Sequence, residues 1–239
     1  MKKVLILVVS VQTPPYGKMI DTSLQTWDSF AVDGVETVFY CSRPKQFNTD
    51  KIIYIDVDES YHTMGYKMLA AFDWAMANKE FDYIARVNAS CYVDKKQLIN
   101  YAQSLPDKNV FACLEVAATE TEQKWSWGGG QFILSKDIVE LILKNRNAWN
   151  HSIMEDKAIG HLMNFLNVPY TQGTACSIDK MDGDKWRCMS YGSESFEFTN
   201  FADIAKKSKN HFYRVKQDYD RSMDEYVMNE LYKHLNNGL

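Results

Sequence analysis

A chain of 239 residues with 46% hydrophobic and 24% charged residues has the composition of an ordinary globular protein, which excludes disorder, collagen-like repeats and disulfide scaffolds. Its net charge of −4 and pI near 5.8 leave no overall positive field to draw it onto DNA or anionic lipid, although a local basic patch is compatible with both values. Five cysteines, Cys41, Cys91, Cys113, Cys176 and Cys188, are scattered without a C-x-x-C pair and fit reduced thiols in a cytoplasmic setting better than a disulfide framework.

The opening "MKKVLILVVSV" has the lysines and apolar stretch of a short signal peptide, but no small-residue cleavage site follows, so a first strand is expected over residues 3–9. Its β-branched and leucine run, broken by Ser10 and the Pro14-Pro15 pair, reads as a strand buried on both faces of a parallel sheet. "MIDTSLQTWDSF" offers Ile20, Leu24, Trp27 and Phe30 at helical spacing, and "GVETVFYCS" is a second strand, completing one βαβ unit. "KIIYIDV" predicts a third strand, "ESYHTMGYKMLAAFDWAMAN" a long helix, and "FDYIARV" a fourth strand running into "RVNASCYVD". Asp94 can cap the next helix, "DKKQLINYAQSL", and "NVFACLEV" is another strand. This alternation predicts an α/β fold with helices on both sheet faces.

After Val116 the texture changes to the long connection "AATETEQKWSWGGGQFILS", and such connections are usually functional. Helices follow in "SKDIVELILKN" and "SIMEDKAIGHLMNFLNV", then the strand-like "PYTQG". From Asp179 the chain is polar and aromatic, with "FADIAKKSKNHFYRVK" preceding a last amphipathic helix, "MDEYVMNELYKHL". No apolar run approaches the roughly 20 residues that span a bilayer. No linker or repeat interrupts the chain, so one domain with an elaborated second half is expected.

Three spots fall in loops after strands or before helices, where open α/β sheets place ligands. At Asn88 to Ser90 the position suits a metal-binding turn, yet the side chains are neutral, and an Asx or Ser turn into the following helix explains them equally. In "WSWGGGQFILS", Gly128, Gly129 and Gly130 permit close backbone approach to a ligand and Trp125 and Trp127 supply flat faces for a sugar or base; a tight turn with a buried aromatic pair is the plainer account. No G-x-x-x-x-G-K or G-x-G-x-x-G is present. In "MEDKAIG", Glu155 and Asp156 begin a helix, as acids favoured by the helix dipole do, or serve as a general base.

In this order the spots resemble the fringe and β-1,3-galactosyltransferase group of GT-A glycosyltransferases and its shorter microbial and viral relatives. "SLQTWDSF" is similar to that group's T-W-G segment, "ESYHTMGYKMLAAFDWA" to its Y-x-x-L-x-x-K-x helix, and "YIARVNASCYVD" to its strand and D-x-D turn. "WGGGQFILS" resembles the G-x-G-Y-x-x-S segment and "EDKAIG" the E-D-V-x-x-G segment, so the resemblance runs over about residues 4–168.

The resemblance implies a single GT-A-like domain over residues 1–239, with a mostly parallel central sheet, a nucleotide-sugar-binding half at 1–115 and an acceptor-side half at 116–239. It implies an inverting transferase using a nucleotide-sugar donor, UDP-linked by expectation, with Asp156, or else Glu155, as the base. Val9, Ser10 and Val11 would hold the nucleotide base, and Trp125, Trp127 and the three glycines would face substrate. The family's paired acids hold a divalent metal against the diphosphate, and hard cations want carboxylates. Asn88 and Ser90 carry no charge, so little or no metal dependence is expected and positive side chains would stabilise the leaving group instead. Candidates are His211, a match to the family's C-terminal histidine, with Arg214, Lys216, Arg221, Arg86 and Lys67; a solvated basic face is the alternative. The acceptor is open among a glycan, a lipid-linked saccharide, a protein and a hydroxymethylated nucleic-acid base. An inactive sugar- or nucleotide-binding module is the competing reading, with a nucleotidyltransferase-like enzyme behind it.

Overall fold

A computed structural model describes residues 1–42, 50–113, 115–116, 125–126, 131–191, 194–217, 221 and 223–236. The first half follows the sequence pattern except that the first helix ends at Gln25, so Trp27 and Phe30 lie beyond it, and that residues 91–93 form a strand where only a turn was expected. β1 (Val4–Val9) is buried at every position, as its uninterrupted apolar run requires, and is followed by α1 (Tyr16–Gln25), β2 (Val35–Ser42) and β3 (Ile52–Ile55). A short 3-10 turn (Tyr61–Thr63) leads into α2 (Met64–Asn78), then β4 (Tyr83–Asn88) and β5 (Cys91–Val93). Asp94 caps α3 (Lys95–Ser104), its Oδ1 accepting from Gln97 N at 3.0 Å.

"NVFACLEV" splits. β6 (Phe111–Cys113) enters the main sheet, whereas β7 (Glu115–Val116) pairs antiparallel with β8 (Trp125–Ser126) as a separate ribbon. β9 (Phe132–Ser135) leads into α4 (Lys136–Lys144), and α5 (Glu155–Phe165) is followed by β10 (Tyr170–Gln172). The main sheet has the order β10-β6-β9-β4-β1-β2-β3, and only β9 runs antiparallel to its neighbours. One face packs on α2, α4 and α5 and the other on α1 and α3, so helices cover both faces.

The polar and aromatic tail, in which the pattern shows no strand after Asp179, builds much of a second sheet. β11 (Ala175–Lys180), β12 (Trp186–Tyr191) and β13 (Phe196–Phe198) form an antiparallel meander, followed by α6 (Ala202–Lys207), β14 (Phe212–Arg214) and α7 (Asp224–Leu235). Its order is β13-β12-β11-β14-β5. Trp186, Cys188, Phe198 and Phe201 are buried in the core that also takes Ile204 of α6 and Val227 and Met228 of α7, and this burial ordered what composition left ambiguous. All five cysteines are buried and unbridged. Among the described residues no helix is long and apolar enough to cross a membrane.

Candidate active site

Register places the first two loops side by side. β1 and β4 are parallel neighbours with Val9 opposite Asn88, and Ala89 N donates to Val9 O at 3.1 Å. Val9 to Val11 and Asn88 to Ser90 therefore emerge together at the carboxyl edge of the sheet.

The alternation of β4 decides what lies beneath the turn. Tyr83, Ala85 and Val87 enter one core and Ile84 the other, so Arg86 and Asn88 project toward the α5 side. Arg86 is fully buried. Its Nη1 donates to Asn88 Oδ1 at 2.8 Å and its Nη2 pairs with Glu155 Oε1 at 2.9 Å. The first turn of α5 is thus pinned to β4 by a charge that is costly to bury alone.

The C-terminal basic segment arrives through the second sheet. β5 leaves the turn and pairs antiparallel with β14, which sets Arg214 opposite Cys91, and Val215 N donates to Ser90 O at 3.0 Å. The outcome is one cleft of about 500 Å³, within the roughly 300–1,000 Å³ typical of small-molecule sites. Its walls carry Val9 to Val11 and Tyr16, Asn88 to Ser90, Glu155 and Asp156, and Arg214, Lys216 and Arg221.

Charge is divided across this cleft. Glu59, on the wall, accepts from Lys67 Nζ at 2.8 Å, and Glu155 is neutralised by Arg86. Asp156 is 5% exposed; burial, and then the neighbouring Glu155, raise its pKa above the ordinary aspartate value, against a backbone N–H from Lys157 at 2.8 Å and the Arg86 charge. A desolvated carboxylate with a raised pKa at a cleft wall is equipped to take a proton. Three cationic side chains, Arg214, Lys216 and Arg221, line the same cleft, and Arg221 also meets Asp224 at 3.4 Å.

Three expected cations do not line the cleft. Lys67 is buried, and its amine donates to Ser10 O at 2.7 Å as well as to Glu59, so it holds the strand-one loop from below. Arg86 acts from beneath, through Asn88 and Glu155. His211 is buried against Tyr101, with ring centroids 4.7 Å apart, and its Nδ1 meets Thr174 Oγ1 at 3.1 Å. Burial pushes its pKa down to about 3, so it brings no charge to a diphosphate. β8 lies against α5, which brings the backbone of Trp125 toward the cleft helix. Trp127, Gly128, Gly129 and Gly130 lie outside the described residues. Sequence reasoning did not single out Tyr16, Glu59, Tyr61, Met64 or Met154, which also line the cleft; all but Tyr16 lie within or at the edge of segments it had matched, without a role of their own.

The donor set at the turn fits a hard dication poorly. Asn88 Oδ1 already receives Arg86, Ser90 offers a hydroxyl, and among the described residues no three His, Cys, Asp or Glu side chains converge as metal ligands.

A family model described as Galactosyltransferase matches residues 45–127, which covers α2, β4 and the Asn88–Ser90 turn and stops before α5. That is less than half of the chain. No curated protein sequence matches. Among solved structures the chain is similar to a glycosyltransferase involved in glycosylation of the major capsid of PBCV-1, at 14% identity and a TM-score of 0.57 over 95% of this chain and 98% of that one. Weaker likenesses are to the glycosyltransferase GlyE of Streptococcus pneumoniae TIGR4 (11% identity, TM-score 0.44, 72% of this chain and 45% of that one) and to 4-diphosphocytidyl-2C-methyl-D-erythritol synthase of Anaerococcus prevotii DSM 20548 (10%, 0.47, 85% and 93%). The fold is that of the PBCV-1 enzyme, a GT-A-type α/β fold, and together with the Galactosyltransferase match it points to a glycosyltransferase.

Proposed function

We propose that the protein transfers a sugar from a UDP-linked donor to an acceptor hydroxyl with inversion at the anomeric carbon, as in the fringe-like group that its motifs resemble. The observation that carries this reading is the single cleft joining the Asn88–Ser90 turn, the raised-pKa Asp156 and the cationic wall of Arg214, Lys216 and Arg221. The donor lies with its nucleotide toward Val9 to Val11 and its diphosphate toward the cations. The acceptor oxygen attacks the anomeric carbon while the Asp156 carboxylate takes its proton. The bond from that carbon to the diphosphate oxygen breaks, its electron pair leaves with the nucleoside diphosphate, and the cations stabilise the charge that develops there. This arrangement makes metal dependence weak or absent. One domain carries the site, with residues 1–115 supplying the nucleotide end and 116–239 the base and the cations at the diphosphate, and the unbridged cysteines favour a cytoplasmic setting.

An intact general base speaks against an inactive binding module. The test is thermal-shift titration with UDP, UDP-galactose and other nucleotide diphosphates, each with EDTA and with Mn²⁺. Stabilisation by a uridine nucleotide that EDTA leaves unchanged is expected. Stabilisation that requires Mn²⁺ overturns the cationic substitute, and none by any nucleotide overturns the donor site.

A further inference from the structure

The Asn88–Ser90 turn fits a hard cation poorly, and the reason shows what it fits instead. Arg86 and Asn88 are two apart on β4, so both side chains leave the same face of the strand. A guanidinium has donors and no acceptor. The Asn88 atom that meets Arg86 Nη1 at 2.8 Å is therefore its carbonyl oxygen, which fixes the NH₂ group of the amide on the other side.

Arg86 is held in that position from several directions. Its Nη2 pairs with Glu155 of α5 at 2.9 Å, its guanidinium carbon lies 5.9 Å from the centre of the Phe132 ring on the neighbouring β9, and the side chain is fully buried. What the turn offers the cleft is accordingly a pair of N–H donors on Asn88 Nδ2 and, two residues on, the Ser90 hydroxyl. Neither group has a hydrogen-bond partner among the described residues. The cationic segment is tied to the same turn, because Val215 N donates to Ser90 O at 3.0 Å and Arg214 and Lys216 flank Val215. Neutral donors and cations thus reach the cleft side by side. N–H and O–H groups aimed into such a space suit anionic oxygens, and a hydrogen bond to a charged acceptor is stronger than one between neutral groups.

We infer that this turn clasps the donor diphosphate directly: Asn88 Nδ2 and the Ser90 hydroxyl hydrogen-bond its phosphate oxygens, and Arg86 is the positioning residue that keeps the Asn88 amide in its donating orientation. The inference rests on the glycosyl-transfer reading above and assigns further contacts at that site.

The experiment is calorimetric titration of the full chain, in EDTA, with UDP and separately with inorganic pyrophosphate. The proteins are wild type, Ser90→Ala, Asn88→Ala, Asn88→Asp, Arg86→Lys and the Arg86→Lys/Asn88→Ala pair, with a thermal melt of each. Asn88→Ala and Ser90→Ala are each expected to weaken both ligands about tenfold, the loss of a hydrogen bond to a charged acceptor. Asn88→Asp still accepts from Arg86 but turns a carboxylate oxygen to the phosphates, so it is expected to weaken them further. Arg86→Lys is expected to weaken both ligands when Asn88 is present and to add nothing once Asn88 is alanine. A merely structural Arg86 would lower the melting temperature and change affinity equally in the two backgrounds, which overturns the positioning role. Asn88→Asp that binds as tightly as wild type, or unaltered affinity in Asn88→Ala and Ser90→Ala, overturns the clasp and leaves the donor reading standing. Ser90→Ala and Asn88→Ala keep the Arg86–Glu155 pair intact, so they decide the clasp even if a variant at position 86 does not fold. Wild type that binds pyrophosphate but not UDP overturns the uridine-linked donor alone, with the variants still deciding the clasp on pyrophosphate. Binding of neither overturns both.

Discussion

Two adjacent carboxylates at the start of α5 have opposite fates. Glu155 is spent on Arg86, 69 residues earlier in the chain, and Asp156 keeps a raised pKa on the cleft wall. Asp156→Asn is expected to cut turnover by at least about 10²-fold, the usual contribution of a general base. The same variant is expected to be more stable than wild type at neutral pH. With its folded-state pKa above the unfolded value, the charged aspartate costs folding free energy above that raised pKa and nothing below the unfolded one, and asparagine removes the cost while still accepting from Lys157 N. A parallel melt and kinetic assay reads both effects, and a variant that loses stability with activity contradicts the assignment. The acid limb of wild-type kcat/KM should lie above the ~3.9 of an unperturbed aspartate. Arg86→Met removes the Arg86 partner of a Glu155 side chain that is only 12% exposed and is expected to cost about 3–5 kcal/mol in urea unfolding. The two acids were visible in the sequence, but nothing local distinguished them, because the arginine that separates their roles arrives on another strand.

Strand pairing explains which parts of the basic tail reach the cleft. β14 lies against β5, so Arg214 at the strand's end faces the turn, while His211, just before the strand, turns inward beneath Tyr101. Arg214→Ala is expected to weaken UDP binding by about tenfold to a hundredfold, the loss of a charge-assisted contact, as titration calorimetry would register. His211 should act on stability instead. Its imidazole takes a proton near 6.5 when unfolded and near 3 when folded, so the folded state loses stability as pH falls below about 6.5, by ~1.4 kcal/mol per unit. Urea midpoints at pH 7 and 5.5 should differ less in His211→Gln than in wild type; an equal difference would place the ring in solvent. Sequence spacing put His211, Arg214 and Lys216 in one basic cluster, and it carried no information on which would be swallowed by a second sheet.

The strands and helices of the first half were legible because each is a local pattern: unbroken apolar runs for strands buried on both faces, and helical spacing with an aspartate cap at Asp94. The alternation predicted the α/β class, and the loops at the carboxyl ends of β1 and β4 predicted where a ligand would sit. From one strand to the next, then, the chain by itself determined its fold class, the location of the turn and the presence of an acid pair. The tertiary structure alone decided the second sheet, the identity of the unpaired acid, the burial of Lys67 and His211 and the ion pair that fixes Arg86 beneath the turn. Each of these depends on residues that are far apart in sequence meeting in a desolvated space, where pairing and burial, and not residue type, set which charges remain available.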